Sequence, residues 1–215
     1  MRPILLDLDD TLVDDYGSTA VAFNAFVEAH RGLLYDRDVG VLLDEWRTVF
    51  VKHWMRHERG EISFLDQRRD RVREFLSNEF TNAEADAALL PYLQAYEASW
   101  RLLPGVEEFL ERSADIPKVI LTNGNREIQL RKVTVTGLWS HVLDVITPED
   151  CGYWKPAHGM FLAGAHRLGV APGSCIMVGD DPIRDIAPAR ELGMACFEVE
   201  RGRCRDALAG ALSAA

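Results

Sequence analysis

The chain lacks several features that would settle its class at once. No stretch approaches the roughly 20 apolar residues of a membrane-spanning helix. The apolar run near the start, Ile4 to Leu6, is too short for the core of a signal peptide, and Asp7 ends it. There are four cysteines, Cys151, Cys175, Cys196 and Cys204, with no C-x-x-C pair and no histidine at zinc spacing from them. That pattern reads as idle thiols in a reducing compartment rather than a zinc ribbon or a disulfide framework. No internal repeat or low-complexity tract is present. Basic residues are scarce, 24 Lys and Arg against 34 Asp and Glu, for a formal net charge of −10. Neutralising a nucleic-acid polymer needs a basic face, so the balance argues against that partner. An acidic enzyme can still take an anionic substrate when a metal ion and a few fixed donors dominate its pocket. The expectation is a soluble, cytoplasmic protein that engages neither membranes nor nucleic-acid polymers.

What is there is a chain of 215 residues with 47% hydrophobic content, enough for one domain with a large insertion or two modest domains. Ile4-Leu5-Leu6 is a short, continuously apolar run, as a parallel strand covered on both faces requires. Similar runs occupy Lys118 to Leu121, Val142 to Ile146 and Cys175 to Val178, with a weaker one from Ala195 to Val199. Helical stretches lie around and between them: Val106 to Ser113, Arg126 to Thr136, Gly159 to Leu168 and Ile183 to Leu192. Strand alternating with helix predicts an α/β, doubly wound parallel sheet. Such sheets carry functional residues at the carboxyl ends of their strands.

Residues 14–100 break this rhythm. Val39, Leu42, Leu43, Trp46, Val49, Phe50, His53 and Trp54 fall on one helical face. Ser18 is a candidate N-cap for a helix to about His30, Ser63 with Asp66 resembles a capping box, and Asn82 is a candidate cap for a further helix that Pro91 would kink or split. The expectation is an all-helical block over 14–100 inserted into a core built from 1–13 and 101–215. The tail after Glu200 carries little signal.

The strand tips carry the chemistry. Asp7 and Asp9 are two apart, so in extended backbone their carboxylates share a face. Crowded carboxylates cannot both stay ionised without a cation or a raised pKa. A divalent ion would keep Asp7 an anionic nucleophile, and a proton on Asp9 would make it a general acid. A solvated acidic turn is the other reading of such a pair. In "LTNG", Thr122 and the amide of Asn123 suit an anion, although the same tripeptide is ordinary turn chemistry. Lys155, pinned by Pro156, could offset the carboxylates or be a solvated surface lysine. In "VGDDPIRD", Asp180 stands at a strand tip and Asp185 in the first turn of the next helix, where an acid also suits the helix dipole. An oxygen-rich site of this kind suits magnesium, which keeps several waters and takes one or two carboxylates.

Together "DLDDTL", "LTNG", "KP" at Lys155 and "GDDPIRD" resemble, in order and spacing, the four motifs of the haloacid dehalogenase superfamily, and the helical block resembles that family's inserted cap. The resemblance covers nearly the whole chain and implies a Rossmann-like core with its active site beneath the cap. It implies that Asp7 attacks phosphorus to form an aspartyl phosphate, and that Asp9 protonates the leaving oxygen and then activates water. It further implies that Thr122 and Asn123 bind the phosphoryl group and that Lys155 neutralises charge. Mg2+ would be held by Asp7, the Asp9 carbonyl and Asp180, with Asp185 and Asp181 behind them. The founding dehalogenases lack the second aspartate, so Asp9 favours a phosphatase.

The resulting expectation is a magnesium-dependent hydrolase of a small phosphorylated metabolite. The segment "RGEISFLDQRRDRVREF" resembles the cap of pyrimidine 5′-nucleotidases and flavin-mononucleotide phosphatases, which makes a nucleoside monophosphate a candidate, with Arg56, His57 and Arg59 free to reach it. On the apolar stripe, Trp46, Phe50, His53 and Trp54 are instead expected to pack the block's own core. Sugar-phosphate and phosphoglycolate phosphatases and 2-haloacid dehalogenases remain alternatives. A phosphonatase would need a Schiff-base lysine, and Lys52, the one lysine of the block, has no context for it. A receiver domain would lack the helical insertion, and a silent family member would not keep all four motifs.

Overall fold

Ile4-Leu5-Leu6 is wholly enclosed, because this short strand lies in the middle of a sheet covered on both faces. The computed structural model describes residues 1–34, 37–77, 79–201 and 203–215. In chain order, β1 (Ile4–Leu6) is followed by α1 (Asp15–Ala29), α2 (Arg31–Leu34), α3 (Val39–Glu58), α4 (Phe64–Leu76) and α5 (Asn82–Ala98). Then come α6 (Val106–Arg112), β2 (Lys118–Leu121), α7 (Arg126–Val135), β3 (Asp144–Ile146), α8 (Pro148–Cys151) and α9 (His158–Arg167). The chain ends with β4 (Ile176–Gly179), a π-helical turn over Pro182–Ile186, α10 (Ala187–Glu191), β5 (Ala195–Glu198) and α11 (Cys204–Ala214). The chain divides into two compact units, Met1–Asp15 with Trp100–Ala215, and Tyr16–Ser99.

The first unit is the expected α/β architecture. Its sheet runs β3-β2-β1-β4-β5, every neighbour parallel, with Leu6 in register with Ile120 on one side and Val178 on the other. Leu6, Ile120 and Val178 enter one apolar layer with Phe109, Val133 and Leu208, while Leu5, Val119 and Met177 enter another with Met160 and Phe161. The strand order reverses about β1, so the crevice beyond the ends of β1, β2 and β4 is where a doubly wound sheet binds ligands. The strand expected from Val142 starts only at Asp144, since Leu143 turns outward and is 53% exposed. The single helix expected over 183–192 is a π turn followed by α10. The tail forms α11, whose few apolar contacts, Cys204, Leu208 and Ala211, lie among alanines that give little periodic contrast.

The second unit is all helical. Trp46 stands at the centre of its core against Phe23, Phe26 and Phe75, with ring centroids 5.7, 4.8 and 5.2 Å away. On α3 the expected stripe buries Leu42, Trp46 and His53, whereas Val39 is 41% exposed. Ser18 is not a cap. α1 begins at Asp15, and the buried Ser18 hydroxyl donates to the Ser99 carbonyl at 3.2 Å. Ser63 does cap α4, accepting from the Asp66 amide. Thr81, not Asn82, caps α5, in a capping box with Glu84, and Pro91 leaves α5 one continuous helix.

Candidate active site

The chain leaves β1 directly into Asp7, whose amide is held by the Val178 carbonyl of β4 at 2.9 Å. Its carboxylate is buried and fully engaged: Lys155 Nζ donates to Oδ1 at 2.6 Å and the Thr11 hydroxyl to Oδ2 at 3.0 Å. The same ammonium donates to Asp185 Oδ1 at 2.6 Å. Burial pushes the Asp7 carboxyl up to about 6, a rise that Lys155 opposes and Asp185 adds to. Burial also disfavours the Lys155 cation, but Asp185 and Asp7 outweigh it and raise its pKa above that of a free lysine.

Lys155 is fixed from behind. Asn123 Oδ1 accepts from its amide and Asn123 Nδ2 donates to its carbonyl, both at 2.8 Å. The Asn123 carboxamide therefore ties the tip of β2 to the lysine. Glycine at 179 lets Asp185 fold back, because a Cβ there would lie 2.5 Å from Asp185 Oδ2. Asp181 caps the π turn, its Oδ1 accepting from the amides of Ile183 and Arg184 at 2.8 and 2.9 Å, and its own amide donates to Asp185 at 3.2 Å.

Asp180, Asp7 and Asp185 each offer an oxygen within 4.8 Å of the others. Asp180 takes no hydrogen bond from any described residue, and burial beside Asp7 and Asp185 pushes its carboxyl up to about 8. Three oxygen donors with one left unpaired fit a hard divalent cation such as magnesium. Asp185 already spends both oxygens on Lys155 and the Asp181 amide. Asp7 likewise spends both on Lys155 and Thr11, so of the three only Asp180 has oxygens that take no hydrogen bond from the described residues.

Asp9 is held by residues that sequence reasoning missed. Gln129 Nε2 donates to Asp9 Oδ2 and to Thr122 Oγ1, each at 2.7 Å. Lys132 Nζ donates to Asp9 Oδ1 and, at 2.8 Å, to Asp15. The crowding of Asp7 and Asp9 inferred from their spacing is thus relieved by two separate lysines, Lys155 and Lys132. Burial raises Asp9 to about 6, with Lys132 opposing and Asp15 assisting. The Asp9 carboxylate is not among the clustered oxygens, so only its carbonyl is left for the metal role the motif implies. Gln129 and Lys132 stand three apart on α7, on the face that also buries Val133. Nothing in "REIQLRKV" marks these two polar residues as buried; only the packing of α7 does. Gly124 makes room for Gln129, as a Cβ there would sit 2.1 Å from its Nε2.

Of the residues expected to be free in the helical block, Arg56 is drawn to Asp70 and to His53 Nδ1, both at 3.0 Å. His57 lies 3.2 Å from the Ile62 carbonyl, and Arg59 is exposed with Glu61 3.7 Å away. His53 is buried against Glu74, as expected of a core position, and Lys52 is spent on the same carboxylate. Phe50 and Trp54 stack on each other but are only half-buried.

The haloacid dehalogenase-like hydrolase model matches residues 1–193. The chain is 30% identical over 224 residues to a phosphoserine phosphatase of Thermus thermophilus, covering 94% of this chain and 90% of that one. It is 27% identical over 208 residues to a glyceraldehyde 3-phosphate phosphatase of Methanocaldococcus jannaschii, covering 96% and 88%. In fold it is similar to the magnesium-bound HAD-hydrolase YfnB of Bacillus subtilis (TM-score 0.72, 21% identity, 92% and 86% covered). It is also similar to the defluorinating L-2-haloacid dehalogenase Rha0230 (TM-score 0.71, 19% identity, 92% and 80% covered). With its sheet, its strand-tip residues and a family match over most of its length, this chain belongs to the haloacid dehalogenase-like hydrolases and is an enzyme of that family.

Proposed function

We propose that the chain is a magnesium-dependent phosphomonoester hydrolase that works through a phosphorylated Asp7. The observation that carries the reading is the buried group of Asp7, Lys155 and Asp185 beside the unpaired carboxylate of Asp180. Asp7 and Asp180 would hold the ion, which when bound would neutralise phosphoryl charge. Lys155 keeps Asp7 anionic and aligned for attack. Thr122 Oγ1 already accepts from Gln129 and from the Gly124 amide, so its own hydrogen is left for a phosphoryl oxygen. Asp9 gives a proton to the leaving oxygen in the first step and takes one from water in the second. Positioning and charge stabilisation are what phosphoryl transfer chiefly requires.

The relatives' names support a small phosphorylated metabolite as substrate, since they name phosphatases of phosphoserine and glyceraldehyde 3-phosphate. Asp9 separates the reading from dehalogenation. A nucleotide substrate gains no support from Arg56 and His57, which are engaged within their own unit. The helical unit is read as the cap. Phosphate release from p-nitrophenyl phosphate should require magnesium and vanish in Asp7→Asn. Equal turnover in chelator, or an active Asp7→Asn, would remove the reading.

A further inference from the structure

The first unit holds a cavity away from the strand tips. It measures about 340 Å³, a size that suits a small molecule, and lies where β2 and β3 begin. Two connections wall it: Ala114 to Lys118, leading from α6 into β2, and Ser140 to Leu143, leading into β3. The Leu143 amide, bonded to the Lys118 carbonyl at 2.8 Å, ties them together. Thr122 stands past the far end of β2, and none of the candidate active-site residues lines this cavity.

Lys118 lines the cavity and is 1% exposed, yet no carboxylate among the described residues is bonded to it. Its ammonium donates to the Ser113 carbonyl, at the C-terminus of α6, and to the Ile116 carbonyl at 2.7 Å. That accounts for two of its N–H bonds, and the third has no acceptor among the described residues. Burial pushes the amine down to about 8, and Asp115, acting through its field alone, opposes that shift. A buried cation without a bonded counter-ion is stabilised by an anion placed beside it. On the other connection, His141 is half-buried, and its imidazole has no hydrogen bond or ion pair with the described residues. The exposed Asp115 carboxylate takes no hydrogen bond from them either. Ile116, Pro117, Val142 and Leu143 make the remaining wall largely apolar.

These groups select among ligands. A plain anion would suit Lys118 and His141 but would be repelled by Asp115. A plain cation would suit Asp115 but would be repelled by Lys118. A molecule carrying both charges on one carbon, with an apolar body, answers every group. We propose that this cavity binds a free α-amino acid with an apolar side chain. Its carboxylate takes the spare Lys118 N–H and a His141 N–H, its ammonium faces Asp115, and its side chain lies on the apolar wall. The inference does not depend on the phosphatase reading.

Amide NMR of the full-length enzyme tests it with three probes of one shape. These are L-leucine, its 2-hydroxy acid analogue, which lacks the ammonium, and L-leucinol, which lacks the carboxylate. L-Leucine should shift amides along 114–118 and 140–143, saturably, and leave those of Thr122 and Asp180 in place. The hydroxy acid and leucinol should both bind more weakly. Asp115→Asn should weaken L-leucine by about 2- to 5-fold, the range of an exposed charge pair, without weakening the hydroxy acid. Lys118→Met should weaken both by about 10- to 100-fold, the loss of a charge-assisted hydrogen bond. That variant also removes a cap from α6, so Asp115→Asn judges the proposal if Lys118→Met does not fold. Absence of an L-leucine shift at these amides would overturn the inference, as would shifts confined to the strand tips. Equal binding of the hydroxy acid would make the cavity a plain anion site and overturn it too. So would an Asp115→Asn protein that binds all three probes as wild type does.

Discussion

Replacing Lys155 with methionine removes the one cation bonded to both Asp7 and Asp185, at 2.6 Å each, in a place where the lysine side chain is 4% exposed. Two buried carboxylates are then left beside the unpaired Asp180. Breaking a buried pair in this way costs about 3–5 kcal/mol. For a chain of this length each kcal/mol moves Tm by roughly 2–4 °C, so a fall of roughly 6–20 °C is expected in chelator. The loss should depend on pH. Lys155 is the group that pulls the Asp7 pKa down against burial, so without it the carboxyl protonates more readily and relieves the repulsion in acid. The deficit should therefore be smaller at pH 6 than at pH 8. Adding Asp185→Asn should recover part of it, since one uncompensated charge is gone. Calorimetry of the three proteins at both pH values reads the result. A Lys155→Met protein as stable as wild type at pH 8 in chelator would refute the reasoning.

Three further outcomes are expected. Metal-free wild type should lose stability as pH rises, because Asp180 titrates near 8 in the fold against 3.8 unfolded, so the folded state holds a proton that the unfolded chain has released. Urea midpoints in chelator should fall between pH 6 and pH 9, and magnesium should flatten that slope. Gly179→Ala puts a methyl 2.5 Å from Asp185 Oδ2, so magnesium affinity measured by titration calorimetry should drop by about 10- to 100-fold, as for lost supporting contacts at metal sites. Gln129→Leu removes the amide that joins Thr122 to Asp9, and kcat should fall by roughly 10- to 100-fold, with the loss greater for an alkyl ester than for p-nitrophenyl phosphate, whose leaving group needs no proton.

The strand tips were readable because each follows a short apolar run, so order along the chain already implied a shared edge of the sheet. Asp7, Thr122 and Asp180 stood out as polar residues directly behind apolar runs, whereas Lys155 and Asp185 read equally well as a surface lysine and a helix-dipole acid until the four motifs were taken together. Lys132 and Gln129 did not stand out, because in "REIQLRKV" they look like the solvent face of an ordinary helix, and only the packing of α7 puts them at 0% and 1% exposure. Asp181 read as part of the acidic set, yet its carboxylate is taken by two backbone amides. The roles of Asp180 and Asp181 were set by a turn geometry that spacing does not encode.

The central claim is that Asp7 itself accepts the phosphoryl group. Mixing enzyme, magnesium and p-nitrophenyl phosphate, quenching in acid during turnover and reducing with borohydride would convert an aspartyl phosphate to homoserine, which mass spectrometry can locate. The account predicts homoserine at position 7, dependent on magnesium and absent in chelator. Steady turnover with an unmodified Asp7 peptide, or modification at a different carboxylate, would contradict it.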